Sequence, residues 1–302
     1  MASLQYGNPN RARDGSGMIT RFAPSPTGGL HLGHAWSAIL AHDRARAVGG
    51  RFLLRIEDID GNRSRPEHVA GILADLSWLG LAWDDLSFQS ARLDHYRVAL
   101  GRLTAMGLLY PCFCTRADIA ASVSAPHGPD GPVYPGICRA LDPATRTARL
   151  AEPHAWRLDM AAAVARVGPL AWDDEIAGTM AANPASAGDV VLARKDAPAS
   201  YHLAVTVDDA AQGVTHVIRG ADLFAATHVH RLLQALLCLP TPIYHHHALM
   251  TDAEGKRLAK RDGAPTLSAR RLAGENGRTL AAKLRTDMAL GPPLALSGAA
   301  PR

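Results

Sequence analysis

The opening of the chain constrains the fold more than any other segment, because residues 18–60 alternate between strand, loop, helix and strand patterns. The apolar run MITRFA is followed by the sequence PSPTGG, which breaks strands and helices alike. From Leu32 the apolar spacing predicts a helix that ends at Gly49 and Gly50, and RFLLRIEDID then predicts a second strand. A strand–helix–strand unit joins parallel strands, so the sequence predicts an α/β protein built on a parallel sheet.

Changes in composition divide the rest of the chain. Amphipathic stretches at 66–79 and 91–106 predict helices, and a segment rich in proline, glycine and cysteine follows them. DVVLARKD, SYHLAVTVDD, VTHVIRG and TPIYHHHALM are predicted to be strands, and DLFAATHVHRLLQALLCL a helix with Asp222 as its N-cap. The predicted organisation is a disordered leader at 1–17, the first half of a nucleotide-binding domain at 18–110, an inserted and largely irregular subdomain at 111–188, the second half at 189–250, and a polar loop with a C-terminal helical segment at 251–302.

Composition narrows the class of protein. The 302 residues are 47% hydrophobic, which is enough for the core of one or two domains. The net charge is +4, and lysine occurs at only four positions, so nearly all the positive charge is arginine. Arginine suits a polyanionic partner. A GC-rich genome would give the same composition without such a partner. No segment resembles a signal peptide or approaches the ~20 apolar residues of a membrane span, so a cytoplasmic protein without membrane contact is expected.

The loop RFAPSPTGGLHLGH is suited to binding the phosphates of a nucleotide. The first backbone N–H groups of a helix have no internal partner and attract anions, and Gly28, Gly29 and Gly33 allow a close approach. His31 and His34 are three residues apart, so both can donate to phosphate oxygens from one face. The pattern is not a Walker A loop. By itself it is equally consistent with one histidine that caps the helix and another that is solvated.

A second polar loop, GKRLAKR, places Lys256, Arg257, Lys260 and Arg261 near the end of the chain. A flexible cationic loop can close on a triphosphate and neutralise the charge that develops in a transition state. Alone, such a charge run indicates a solvated surface. Its occurrence after a histidine-bearing phosphate loop in an α/β protein favours a nucleotide site.

Together these motifs resemble the glutamyl- and glutaminyl-tRNA synthetases, a branch of the class I aminoacyl-tRNA synthetases. RFAPSPTGGLHLGH, RIEDID, YHLAVTVDD, THVIRG and KRLAKR occur in that family's order, over roughly Met18 to Pro265. The resemblance implies a Rossmann-like parallel sheet with an inserted smaller subdomain. Fewer than ~50 residues follow the GKRLAKR segment, here called the lysine loop, and this is too few for a typical anticodon-binding domain. The short form resembles the glutamyl-queuosine tRNA(Asp) synthetases, which attach glutamate to the queuosine base at the wobble position.

The resemblance also implies roles for individual residues. His31, His34 and Lys260 would be catalytic, and with Gly33 and Arg257 they would bind ATP together with Mg²⁺. Arg257 replaces the first lysine of the family's loop and Ala259 replaces its serine, which leaves the function of this loop open. The glutamate would be bound by eight residues: Arg21, Phe22, Ala23, Pro24, Ser25, Glu57, Tyr201 and Arg219. In the HHH run, which also suggests a metal site, His246 takes the position of a family histidine.

The cysteines suggest a metal site. Cys112, Cys114 and Cys138 offer three thiolates for a tetrahedral Zn²⁺. The short family has a tyrosine at the position of Tyr134, which makes it the expected fourth ligand, while His127 is the chemically more ordinary alternative. Three unrelated reduced thiols are the remaining interpretation, and Cys238 is expected in the core.

The implied reaction partners are ATP, L-glutamate and the anticodon stem-loop of tRNA(Asp), with a monomeric enzyme expected. Three rival functions stay open at this stage. The chain can be a truncated synthetase that charges tRNA(Glu), a small-molecule nucleotidyltransferase, or a non-catalytic tRNA-binding paralogue.

Overall fold

The computed structural model describes residues 17–61, 63–121, 127–128, 131–194, 197–250 and 265–290. The predicted leader, up to residue 16, the lysine loop at 251–264 and the tail at 291–302 lie outside the described residues. The helices are α1 (Leu32–Ala47), α2 (Pro66–Trp78), α3 (Leu93–Ala105), α4 (Arg116–Ala121), α5 (Pro143–Ala148), α6 (Met160–Val167), α7 (Tyr201–Ala211), α8 (Ala226–Leu237), α9 (Leu267–Leu272) and α10 (Gly277–Leu290).

The strands are also numbered in chain order from the N-terminus. They are β1 (Ile19–Phe22), β2 (Arg51–Ile56), β3 (Asp85–Phe88), β4 (Leu109–Cys112), β5 (His127–Gly128), β6 (Gly131–Pro132), β7 (Ala155–Leu158), β8 (Ala171–Asp174), β9 (Gly178–Ala181), β10 (Val191–Ala193), β11 (His216–Gly220) and β12 (Ile243–His247).

The predicted strand–helix–strand opening is confirmed. β1 and β2 are parallel, with Ile19 opposite Arg51, and α1 connects them. β3 adds a third parallel strand, with Leu53 of β2 opposite Asp85. β3 was not predicted, because a strand of four residues is too short to show an alternation of apolar and polar residues.

A second sheet has the strand order β11–β12–β8–β9. β12 is parallel to both β11 and β8, and β8 and β9 form an antiparallel hairpin. The first sheet meets the second where β1 lies beside β11, since the Thr215 amide donates to the Ile19 carbonyl at 2.9 Å. The carboxyl ends of β1, β2, β11 and β12 therefore face the same edge, where open α/β sheets bind ligands.

The segment up to Gly188 was predicted to be irregular, and this prediction is wrong. It contains β7, α6, β8 and β9, and β8 belongs to the second sheet. β8 pairs with β12 about seventy residues further along the chain, with Tyr244 opposite Asp174. Local sequence carries no information about so distant a partner. Strands β4, β7 and β10 form a small antiparallel sheet with Cys112 at the end of β4, and β5 and β6 form a separate antiparallel pair.

The segment SYHLAVTVDD was predicted to be a strand, and it is the helix α7 instead. Every residue from Leu203 to Ala210 is buried, so this part of the helix has no exposed face. A short apolar segment that is buried all round has no period by which helix and strand can be told apart. Tyr201, predicted at a strand edge, is accordingly the first residue of a helix.

The N-terminus of α8 also differs from the prediction. Asp222 lies in a short 3₁₀ turn at Ala221–Leu223, and α8 begins at Ala226 with Ala225 as its N-cap residue. The 3₁₀ turn satisfies backbone groups that a side-chain cap would otherwise take.

Apolar clusters pack on both faces of the joined sheets. One lies between α1, α2, α10 and the first strands, and another between α3, α6, α7 and α8. In the described part of the chain no helix combines the length and the hydrophobicity that crossing a bilayer requires.

Candidate active site

A cavity of about 410 Å³ opens at the carboxyl ends of β1, β2 and β11. All the predicted glutamate residues line it: residues 21–25, Glu57, Tyr201 and Arg219. His31, Gly33 and His34 line it too, whereas Arg257 and Lys260 lie outside the described residues. The structure thus brings together every predicted glutamate and phosphate residue that it describes.

The start of α1 is organised by the two histidines. The His31 ring Nδ1 accepts a hydrogen bond from the Gly33 amide at 3.1 Å, and the His34 Nδ1 accepts one from the His31 amide at 3.2 Å. Each Nδ1 is an acceptor, so a neutral ring carries its proton on Nε2, which can donate to an anion. A side chain at Gly33 would place its Cβ 3.0 Å from the His31 ring, so the ring would have to shift away from its position at the start of the helix. Capping and phosphate binding, which the sequence offered as alternatives, are compatible.

Arg21 is held from behind by a carboxylate of α7. Its Nε donates to Asp209 Oδ1 at 3.0 Å, and the same oxygen accepts from Arg55 Nη2 at 2.7 Å. Among the described residues Arg21 makes no other side-chain hydrogen bond, so its two terminal nitrogens are available to a ligand in the cavity. Burial raises the pKa of Asp209, but attraction to Arg21 and Arg55 outweighs it, and the net pKa is lowered.

Asp208, the neighbour of Asp209, connects α7 to the first half of the chain. Its two oxygens accept hydrogen bonds from Arg92, Gln89 and Tyr96, at 2.6, 2.9 and 2.7 Å. Both aspartates lie within the motif YHLAVTVDD, but no role was predicted for them from the sequence. Buried charged residues that occur in pairs on an apolar segment are the signal that identifies such positions.

Glu57 follows β2 and faces the cavity. Its Oε1 is buried and has no hydrogen-bond partner among the described residues. Burial raises the pKa of Glu57 to about 7, although Arg55 and Arg21 act in the opposite direction. A buried carboxylate oxygen without a partner is costly unless a ligand donates to it. The geometry therefore fits a cationic ligand group at this position.

Arg219 is enclosed by a cluster of polar side chains. Its Nη1 donates to the Tyr201 hydroxyl at 3.1 Å and its Nη2 to Thr227 Oγ1 at 2.6 Å. Its Nε donates to His246 Nε2 at 3.1 Å. The HHH run is a strand, as predicted, and its successive residues have different surroundings: His246 contacts Arg219, whereas His247 lines the cavity and contacts Ser37 of α1.

The three predicted cysteine ligands lie together at the end of β4: Cys112 is its last residue, and Cys114 and Cys138 lie in loop segments next to it. Their Sγ atoms are all within 4.8 Å of one another, and Cys114 Sγ is 3.5 Å from both Cys138 Sγ and the Tyr134 hydroxyl. Two thiolates on one tetrahedral Zn²⁺ are about 3.8 Å apart, given Zn–S bonds of about 2.3 Å. The donor set and its spacing therefore fit a zinc ion. The side chain of the alternative ligand, His127, lies outside the described residues.

Two further features bear on the cysteines. The Arg157 guanidinium lies 3.9 Å from the centre of the Tyr134 ring, but burial and hydrogen bonding to Cys112 raise the pKa of this tyrosine, so only a bound metal ion would favour its ionised form. Cys238, expected in the core, is exposed at the end of α8, where it takes a left-handed backbone conformation with φ of 53°. This last prediction is wrong because the residue ends its helix.

Comparison with known proteins adds independent information. The family model for the catalytic domain of class I tRNA synthetases (E and Q) matches residues 17–283. A glutamyl-Q tRNA(Asp) synthetase of Rhodobacter capsulatus is 55% identical over 269 residues, which cover 85% of this chain and 96% of that protein. One from Symbiobacterium thermophilum is 47% identical, with 87% and 84% covered.

Among solved structures, a glutamate-tRNA synthetase from Elizabethkingia anophelis superposes with a TM-score of 0.70 at 30% identity. The match covers 82% of this chain and 53% of that one. The chain therefore spans about half the length of this structural relative.

Proposed function

Because the chain belongs to the glutamyl-Q tRNA(Asp) synthetases, within the class I tRNA synthetases of the glutamate and glutamine type, we propose that it activates L-glutamate with ATP and transfers it to the queuosine base of tRNA(Asp). The observation that carries this proposal is the single cavity shared by Arg21, Glu57, Arg219 and the two histidines of α1. It offers cations for two carboxylates, an anion for an ammonium group, and a helix N-terminus for phosphates.

In the first step an oxygen of the glutamate α-carboxylate attacks the α-phosphorus of ATP. The bond to the bridging oxygen breaks, pyrophosphate leaves, and glutamyl-adenylate remains. No protein nucleophile takes part, so the residues act by alignment and by stabilising phosphate charge. His31 and His34 donate to the phosphates, and Lys260 and Arg257 are expected to neutralise the leaving group. Mg²⁺ bound to the nucleotide supplies further charge neutralisation.

In the second step a hydroxyl of the queuosine ring attacks the activated carbonyl carbon. The bond between that carbon and the phosphate oxygen breaks, AMP leaves, and the hydroxyl proton passes to solvent. Glutamate is held by Arg21, Tyr201 and Arg219, with its ammonium group on Glu57. The cavity is open at the strand ends, which is where an anticodon loop would approach.

The decisive experiment is ATP–pyrophosphate exchange with purified protein, with and without tRNA. Exchange is expected with glutamate and not with glutamine or aspartate. Transfer of labelled glutamate is then expected to tRNA(Asp) from cells that make queuosine, and not to tRNA(Asp) from cells that lack it. No exchange under either condition contradicts the proposal, and charging of tRNA(Glu) instead identifies a truncated synthetase. Binding of tRNA without ATP turnover identifies a non-catalytic paralogue.

Glutamate binding is expected to weaken as the pH falls through 7. Only ionised Glu57 attracts the substrate ammonium, and its pKa in the ligand-free cavity is raised to about 7. The ionised fraction then falls about tenfold between pH 8 and pH 6, while the charges of glutamate itself are constant. Calorimetric titration should therefore give a dissociation constant for glutamate about tenfold higher at pH 6.

The matched control is Glu57→Gln, which cannot ionise. Its glutamate affinity should be low and flat across the same pH range, while ATP binding stays close to that of the parent. An equal pH dependence in this variant would assign the effect to another group.

We infer that Cys112, Cys114, Cys138 and Tyr134 hold one Zn²⁺. The spacing of the thiols and the position of the Tyr134 hydroxyl, 3.5 Å from Cys114 Sγ, support this set. The ion would be structural, since four protein ligands leave no open position for chemistry.

A further inference from the structure

The orientation of Arg219 depends on what its neighbours can accept. A guanidinium has donors only, so each protein group bonded to it must present a lone pair. His246 Nε2, 3.1 Å from Arg219 Nε, must therefore be unprotonated. In a neutral imidazole the proton is then on Nδ1.

Asp174 lies on the other side of the His246 ring. Its Oδ2 is 2.7 Å from His246 Nδ1, and both side chains are 1% exposed. The carboxylate can only accept, so it holds the proton on Nδ1 and keeps Nε2 free for Arg219. Burial lowers the pKa of His246 to about 4, against the opposing effect of Asp174, so the ring is neutral near pH 7.

Asp174 is itself fixed from behind. Its Oδ1 accepts from the backbone amides of Ile176 and Ala177, each at 2.9 Å, in the turn between β8 and β9. Burial raises the pKa of Asp174, but the hydrogen bonds from His246 and these amides bring it to about 2. The carboxylate is therefore ionised and immobile, as an orienting group must be. Neither Asp174 nor His246 lines the cavity.

We propose that Asp174 is a positioning residue for glutamate selection, which acts through the tautomer of His246 to set the direction of the Arg219 guanidinium. The proposal rests on the function proposed above, in which Arg219 contacts a glutamate carboxylate. It adds that selectivity is set by a chain of acceptors reaching from the β8 turn to the cavity. Carboxylate–histidine pairs orient functional groups in this way because the carboxylate decides which ring nitrogen carries the proton.

The test is Asp174→Asn. Whichever way the asparagine amide is turned, its NH₂ group faces a donor: the turn amides on one side or His246 Nδ1–H on the other. When the NH₂ group faces the ring, it forces the His246 proton onto Nε2, against Arg219 Nε–H. In the exchange reaction the KM for glutamate is expected to rise about tenfold or more, with the KM for ATP within about twofold of the parent.

Asp173→Asn is the matched control, because Asp173 is the preceding residue of β8 and bonds only the exposed Thr179 among the described residues. It should leave both KM values unchanged. A folded Asp174→Asn protein with an unchanged glutamate KM, or with glutamate and ATP affected equally, would overturn the proposal.

A second variant keeps the test valid should Asp174→Asn fail to fold. In His246→Gln the amide oxygen can accept from Arg219 without any tautomer. A nearly normal glutamate KM is expected in this variant, and His246→Leu should raise that KM. Equal KM values in the two variants would contradict the proposal.

The tautomer is also measurable without activity. Nitrogen-15 spectra of histidine-labelled protein should show His246 protonated at Nδ1 and not at Nε2. If the parent protein shows no ATP–pyrophosphate exchange but has this tautomer, the proposed function is refuted and the positioning role of Asp174 is not. A proton on Nε2 refutes the positioning role itself.

Discussion

Replacing Asp209 with alanine is expected to lower the free energy of unfolding by about 3–5 kcal/mol, because two buried arginines lose the carboxylate that they share. The Arg55 side chain is fully buried and that of Arg21 is 4% exposed, so both charges are largely shielded from bulk water when Asp209 is removed. Arg55 keeps a hydrogen bond to Gln212 at 2.5 Å, whereas Arg21 keeps none among the described residues. Urea denaturation followed by circular dichroism measures the change.

Asp94→Ala is the appropriate control for that experiment. Asp94 also pairs with an arginine, Arg97, but both side chains are more than 70% exposed. An exposed pair in the first turn of a helix contributes at most about 1 kcal/mol. Equal losses in the two variants would show that the buried network around Asp209 contributes nothing particular.

The pH dependence of the Asp209 effect has a definite sign. The pKa of Asp209 is lowered in the folded protein, so its contribution to stability is present above its unfolded pKa of about 4. That contribution is lost as the pH falls through the folded value. The difference between parent and variant should therefore shrink in acid.

Mutation of Cys138 to serine is expected to lower the zinc content of the protein strongly. The parent should contain about one zinc per chain by elemental analysis, and the variant well under half of that, because a structural site that loses one thiolate binds far more weakly. The thermal unfolding temperature should fall with the zinc content, since binding free energy at such a site is also folding free energy. Chelation of the parent should reproduce the fall.

Cys238→Ser serves as the control, because Cys238 lies at the end of α8 and outside the cluster. Its zinc content should equal that of the parent. Tyr134→Phe examines the fourth ligand: reduced zinc supports Tyr134, and full retention favours His127 or a water molecule. Absence of zinc from the freshly purified parent would contradict the site.

Those parts of the fold that are encoded by local patterns were predictable. Glycine and proline around residues 24–33 enforce a loop, and the spacing after Leu32 specifies α1, so the first parallel pair of strands followed from the sequence. The candidate residues of the cavity followed as well, because the family motifs are contiguous stretches that each lie at the end of a strand or at the start of a helix. The domain borders remain predictions.

Other features depend on contacts between distant segments, and local patterns do not contain them. β8 is a strand because it pairs with β12 in the folded sheet. The helix α7 contains β-branched residues that also suit a strand, so its local sequence does not distinguish the two. The roles of Asp174 and Asp209 appear only when the chain is folded, because their partners His246 and Arg21 are far away in sequence. In the sequence alone, an aspartate after a short apolar run resembles an ordinary turn residue.

The participation of β8 in the second sheet affects how this protein can be dissected. Excision of 111–188 as a module, followed by rejoining of the two flanking halves, would discard Asp174 together with the cysteine cluster. The shortened enzyme could retain its phosphate loop and yet lose discrimination among amino acids. A deletion that retains residues 171–181 as a tethered hairpin is the better design for a minimal catalyst.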